Sequence, residues 1–382
     1  MLDHYRINVS DIVIGEPLPW DVYDESKRLL LSKGHVIATE RQFDELAKRG
    51  LFIDGSAADR SRDRKCEDHS AKQAHPSALR IINLAHKRLE RLLFNLTNET
   101  DTQEKVLDIA RSIAQAIDIN PDISLGCVLL NQQAHNYTIR HCLDTAVLTA
   151  IVARGMQKDP DETLVMMAAA LTMNIGMLRQ HDELQARSEP LSERELESIR
   201  QHPQQAANIL MQCGINDPAW LSYVLLHHEN EDGSGYPLGK SVGEIGTNAK
   251  IVSLADRYCA AVSNRRYRKP LLPQSAMRDV FLGAGKPSDP TLAAYFIREI
   301  GSYPPGTFVR LQNGEIGVVT RKGKTVTTPV VHALIGPRGA PLAFPIQRDT
   351  GKDLFAIKET LGGEQAVLRF SLQQLWGEEA AL

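Results

Sequence analysis

Cysteine is sparse, with five residues in 382, an odd number and no CxxC pair. Such spacing excludes a disulfide framework and a zinc ribbon, and it points to a reducing compartment. Long apolar runs are missing too. The most apolar stretch, Leu164–Leu178, falls short of the roughly 20 residues that span a bilayer, and Thr172 and Asn174 interrupt it. The opening residues, MLDHYRINVSDIVIG, have no basic segment followed by an apolar one, so no secretory signal is expected. A cytoplasmic protein without a membrane span is the expectation. Net charge is only -3, which leaves no global field to gather a nucleic-acid polymer. A phosphate-bearing ligand would have to be caught by a local cluster.

Hydrophobic residues at 42% and charged residues at 24% describe an ordinary globular protein, and 382 residues exceed one ordinary core. Over 1–54, alternation in Tyr5–Ile14 and Trp20–Leu31 predicts short strands, and Thr39-Glu40-Arg41-Gln42 predicts a capped helix through Lys48 that Gly50 closes. Residues 55–77 are polar and nearly free of aliphatic bulk, as a linker is. From Ala78 the period turns helical, and Leu79, Ile82, Leu84, Leu89 and Leu92 are expected near one face that either docks on its own domain or pairs with a second copy in a homodimer. Helical spacing recurs over Gln103–Ile117, Ser124–Leu130, Ile139–Arg154, Glu162–Leu178, Glu193–Gln201, Pro203–Cys213, Pro218–His228, Asn248–Ala261 and Pro290–Ile300. Beyond 304, strands are predicted at Thr307–Leu311, Glu315–Thr320, Thr325–Leu334 and Leu342–Ile346, the first two joined at Asn313-Gly314. The expected chain is mainly α: a small α+β domain (1–54), a linker (55–77), a helical domain (78–303) and a β-rich extension (304–382).

Chemistry concentrates in His227-His228-Glu229-Asn230-Glu231-Asp232-Gly233-Ser234-Gly235-Tyr236-Pro237, which follows an apolar helix. Adjacent helical residues point about 100° apart, so the two histidines either serve neighbouring metals or divide into one buried and one exposed ring. His141, His202 and Asp256 each sit on another predicted helix. Helices that each deliver one His or Asp to a shared point are how bundles build metal sites.

The segment HHENEDGSGYP, the downstream Asn264-Arg265-Arg266-Tyr267-Arg268-Lys269-Pro270 and the ordered His141, His202 and Asp256 resemble the HD-GYP subfamily of HD-domain phosphohydrolases, from about residue 135 to 300. Residues 1–54 also resemble a small accessory domain that precedes some bacterial members. The resemblance implies a helical HD-domain bundle whose clustered divalent metals, commonly iron or manganese, hydrolyse cyclic di-GMP through a metal-activated water. It implies metal ligands at His141, His202, His227, His228 and Asp256. Tyr236, with Gly235 and Asp232 of its loop, would line the nucleotide pocket, and Arg265 and Arg268 would clamp phosphates.

One part of the family pattern is missing. Where the subfamily has a segment of the form HDIGK, this chain has Met173-Asn174-Ile175-Gly176-Met177. A thioether is a soft ligand unsuited to iron, manganese or magnesium, and a neutral amide is a poor bridge between two cations. Met177 stands where a lysine would meet phosphate. Where some members carry a glutamate for a third metal, one turn before the first histidine, this chain has Tyr137. The expectation is a degenerate module that binds cyclic di-GMP or a signalling partner, such as a diguanylate cyclase or a motility protein, and no longer cleaves. Two alternatives stand beside it: a working phosphodiesterase that uses one remaining metal, and a pure protein-interaction scaffold.

Overall fold

A computed structural model describes residues 4–6, 18, 21–24, 28–35, 52–54, 76–130, 136–185, 187, 189–264, 269–281, 289–362 and 370–382. The chain divides into two compact units, Met1–His75 and Pro76–Leu382. In the first unit, β1 (His4–Arg6), β2 (Val22–Tyr23), β3 (Leu29–Leu31) and β4 (Phe52–Asp54) form an antiparallel sheet ordered β1-β4-β2-β3. The alternation across Trp20–Leu31 is therefore a hairpin and not one strand. Asp24 reverses the chain: its N–H donates to the Arg28 carbonyl and its carboxylate accepts from the Arg28 N–H, both at 2.9 Å. The helix expected from Thr39 to Lys48 lies outside the described residues, as do 55–75 of the expected linker.

The second unit opens with α1 (Ala78–Phe94), α2 (Thr102–Ile119), α3 (Pro121–Leu130), α4 (Tyr137–Gly155) and α5 (Pro160–Thr172). It continues through α6 (Leu178–Gln185), α7 (Glu193–Gln212), α8 (Pro218–Leu226), α9 (Thr247–Val262), α10 (Pro273–Phe281) and α11 (Pro290–Ile300). The start signals are chemical. Asp159, Asp217 and Asp289 each accept backbone N–H bonds ahead of a proline that begins α5, α8 and α11. Ser192 and Glu195 form the expected capping box at the head of α7. The centre of the bundle is α4, buried without a break from Thr138 to Ala153 and packed against α5, α9 and α11. Even its charges lie inside, with Arg140 and Asp144 paired at 3.1 Å one turn apart.

The sequence reading has no counterpart to α10, and two of its helical runs end differently. The run Glu162–Leu178 stops at Thr172, is followed by a 3₁₀ turn at Ile175–Met177, and resumes as α6. Thr172 donates its hydroxyl to the Ala168 carbonyl at 2.8 Å, a local bond that competes with the helix ladder. Conversely, Pro203 does not divide α7. A proline removes the N–H that would bond the carbonyl four residues back, here Ile199. His202 supplies the replacement, donating Nδ1–H to that carbonyl at 2.6 Å.

After α11 come β5 (Phe308–Leu311), β6 (Ile316–Arg321), β7 (Val330–Ile335), β8 (Pro341–Asp349) and β9 (Ile357–Leu361), an antiparallel sheet ordered β8-β7-β6-β5-β9. A short α12 (Leu372–Trp376) follows. The sheet belongs to the same compact unit as the bundle and packs on α3 through β6. Beyond α12 the chain returns to the head of α1, where Ser77 donates its hydroxyl to the Ala381 carbonyl at 2.6 Å and Arg80 donates to the Leu382 carbonyl at 2.9 Å. No single helix among the described residues is long and apolar enough to cross a membrane.

Candidate metal centre and nucleotide loop

Four helices deliver five titratable side chains to one interior region. His141 comes from α4, His202 from α7, His227 and His228 from the end of α8, and Asp256 from α9. His202, His227 and His228 gather most tightly, each offering a ring nitrogen within 4.8 Å of the others. His202 Nε2 and His227 Nε2 stand 3.3 Å apart. The other nitrogen of each ring is committed to backbone: His202 Nδ1–H donates to Ile199 and His227 Nδ1–H to Val224, both at 2.6 Å. Each ring is thereby fixed in orientation and in tautomer, with its Nε2 lone pair turned inward.

His141 and Asp256 form a second pair. His141 Nε2–H donates to Asp256 Oδ1 at 2.7 Å, while Asp256 Oδ2 lies 3.9 Å from His228 Nδ1. The Nδ1 of His141 is buried without a hydrogen-bond partner. Tyr137 stacks on His141 with ring centroids 5.6 Å apart.

Burial governs the electrostatics here. It pushes His202 down to about 3, with the neighbouring His227 adding to the effect, and it depresses His227 and His228 as well. Burial opposes the charge on Asp256, yet the hydrogen bond from His141 and the surrounding imidazoles hold its carboxyl well below the usual range. The rings of His202, His227 and His228 are thereby kept neutral beside a carboxylate, and neutral imidazole is the form that binds a divalent cation.

Met173 and Asn174 are buried where α5 ends. Met173 belongs to the apolar core, and the Asn174 amide donates to Cys142 Sγ at 3.7 Å, next to His141 in the chain. Met177 is buried one turn on. Gly176 lies against α7 so closely that a Cβ there would sit 2.4 Å from the His202 carbonyl oxygen. The segment thus abuts the backbone that carries a histidine of the cluster, but it offers no carboxylate or imidazole of its own.

The loop after α8 is organised by Glu229, which the sequence reading did not single out. Its buried carboxylate accepts from the Leu238 N–H at 2.6 Å and the Lys240 N–H at 2.8 Å. Gly235 passes directly over it, where a Cβ would come within 2.4 Å of Asn230 N and Glu229 Cα. Asp232 accepts from Ser234 through backbone N–H and hydroxyl. Tyr236 lays its ring beside His228, centroids 4.7 Å apart, and burial pushes its phenol upward. A cleft beside this loop is lined by Glu231, Asp232, Lys250, Ser253, Arg257 and Asp289, and no histidine reaches it. Arg265 and Arg268 lie outside the described residues.

Residues 123–292 match the HD domain family. A cyclic di-GMP phosphodiesterase of Pseudomonas aeruginosa is 30% identical over 234 residues, covering 60% of this chain and 56% of that protein. The cyclic di-GMP phosphodiesterase PdeB of Borreliella burgdorferi is 28% identical over 184 residues, 48% of each chain. The chain therefore spans about half the length of the curated relatives it matches. Among solved structures, Bd1817, an HDG"Y"P protein from Bdellovibrio bacteriovorus, superposes with a TM-score of 0.51 at 17% identity, over 77% of this chain and 98% of that one, which shows the fold.

Proposed function

We propose that this chain is a cyclic di-GMP receptor of the HD-GYP type that has lost hydrolysis, a reading supported by the match of residues 123–292 to the HD domain family and by the likeness to cyclic di-GMP phosphodiesterases. One observation carries the reading. At the positions of the family's His-Asp pair, a methionine is sunk in the apolar core and an asparagine amide is spent on a thiol. Neither can bridge two cations. A divalent ion, iron or manganese in the family, would here be held by His202, His227 and His228, with His141 and Asp256 next to them. Bound there, such an ion neutralises phosphate charge and lowers the pKa of a coordinated water. Tyr236 and the loop clamped by Glu229 would face the nucleotide, and Arg265 and Arg268 are assigned the phosphates. A diguanylate cyclase or motility protein is the kind of partner that would read the bound state, with the chain acting in the cytoplasm.

The test compares binding with turnover. Cyclic di-GMP should bind in equilibrium dialysis, while linear pGpG stays at background with added manganese or iron. The double change Met173→His with Asn174→Asp should raise metal stoichiometry towards two. Robust pGpG production by the unmodified chain, abolished by His227→Ala, would favour the second reading, a metal-dependent phosphodiesterase. The convergent histidines support that reading. Absence of nucleotide binding in both proteins would leave only the scaffold.

A further inference from the structure

The family resemblance implies a dinuclear iron or manganese centre, and the donors present do not fit one. We infer that the chain holds a single divalent ion on the Nε2 atoms of His202 and His227 and a ring nitrogen of His228, at a site that prefers zinc or cobalt to manganese or ferrous iron. The inference rests on the proposed reading only in taking this region as the metal site, and it holds whether or not a nucleotide binds.

Three observations carry it. First, the Nδ1–H groups of His202 and His227 are both donated to carbonyls, so two lone pairs face each other across 3.3 Å. Two acceptors in that position repel unless a cation lies between them. Two nitrogens about 2.0–2.1 Å from one ion at the tetrahedral angle stand about 3.3–3.4 Å apart, so the rings already have the spacing of two ligands on a zinc-like ion. Second, the ring of His228 completes a set of three whose donor atoms lie within 4.8 Å of one another, and neither His141 nor Asp256 joins that set. The carboxylate is engaged at 2.7 Å by His141, which makes Asp256 a positioning group beside His228 and not a bridge. Third, the corner that would hold a second ion contains the Met173 thioether in apolar core and the Asn174 amide on Cys142.

Ligand softness then sets the preference. Three neutral imidazoles and no bound carboxylate suit zinc, cobalt, nickel or copper better than manganese, which favours oxygen donors. Three protein ligands also leave a fourth position open to water or an anion.

The experiment uses the full chain, stripped of metal and titrated separately with Zn²⁺, Co²⁺ and Mn²⁺, with stoichiometry read by elemental analysis. One cobalt per chain is expected, with the intense visible bands of a four-coordinate ion that zinc bleaches. Manganese should bind at least about 100-fold more weakly than zinc. His227→Ala should abolish the cobalt spectrum, and Asp256→Asn should keep one ion with a loss of about tenfold in affinity. Circular dichroism checks that each variant is folded, and the wild-type stoichiometry and spectrum decide the matter even where a variant is not. Two ions per chain, tighter manganese than zinc, no stoichiometric ion at all, or loss of cobalt from folded Asp256→Asn each overturns the inference. Cyclic di-GMP binding is scored separately, so failure of the receptor reading leaves the metal result standing.

Discussion

Glu229 shows how much one side chain can organise. Its carboxylate closes a loop by taking two backbone N–H groups nine and eleven residues further on. Replacement by Gln puts an amide donor against one of those N–H groups. The expected cost is about 1.5–3 kcal/mol, read as a lower urea midpoint, with faster proteolysis of the loop. Nothing in HHENEDGSGYP marked this acid among the three in the segment, because an acid in a polar loop is ordinarily solvated and its partners are distant backbone atoms. The histidines were legible for the opposite reason: each stands out against an apolar helical face, where a polar ring needs a partner. Their burial has a pH consequence. In the metal-free folded protein His202 resists protonation to about 3, whereas an unfolded imidazole titrates near 6.5. The unfolded chain takes up protons first, so stability is intact above about 6.5 and is lost as pH falls towards about 3. Urea midpoints at about pH 7.5 and about pH 5 should show the drop, and saturating Zn²⁺ should raise the midpoint at about pH 7.5.

At the level of elements, most helix starts were readable because they are made by short local signals, aspartate before proline or serine before glutamate. The breaks were not. Whether Pro203 ends a helix depends on a side chain that can satisfy Ile199, and His202 does so only once folded. This arrangement ties helix continuity to ring orientation. Pro203→Ala restores an N–H that competes with His202 for the same carbonyl. The helix should hold or gain stability, while the freed ring loses its fixed tautomer and metal affinity falls about 10-fold. Circular dichroism and a Co²⁺ titration on one sample would separate the two effects, and unchanged cobalt affinity would show that the carbonyl does not orient the ring. The end of α5 was hidden in the same way, since an unbroken apolar run gives no sign that Thr172 will turn its hydroxyl back on Ala168.

At the scale of the molecule, the division near residue 76 could be seen in composition, but the position of the β-rich extension could not. Its strands alternate as a separate domain would, and the contacts that attach it, through β6 and through α12, are long-range and leave no local mark. Trp376 packs over Gly126 and donates its indole N–H to the Thr320 carbonyl at 2.8 Å, joining α3 to the sheet. Leu375 meets Val318 and Leu334 in a small cluster of its own. Trp376→Ala should therefore cost about 2–4 kcal/mol. Loss of stability in the sheet alone, with the bundle's unfolding midpoint unchanged, would show that the two are energetically separate.

The hydrogen bonds from Ser77 and Arg80 to the last residues bring the first and last turns of the larger unit together. In polymer terms that unit is a ring closed by weak bonds. A covalent bridge between the two ends would ask little of the native geometry. Its main effect would fall on the unfolded chain, which would lose the freedom of a loop some three hundred residues long.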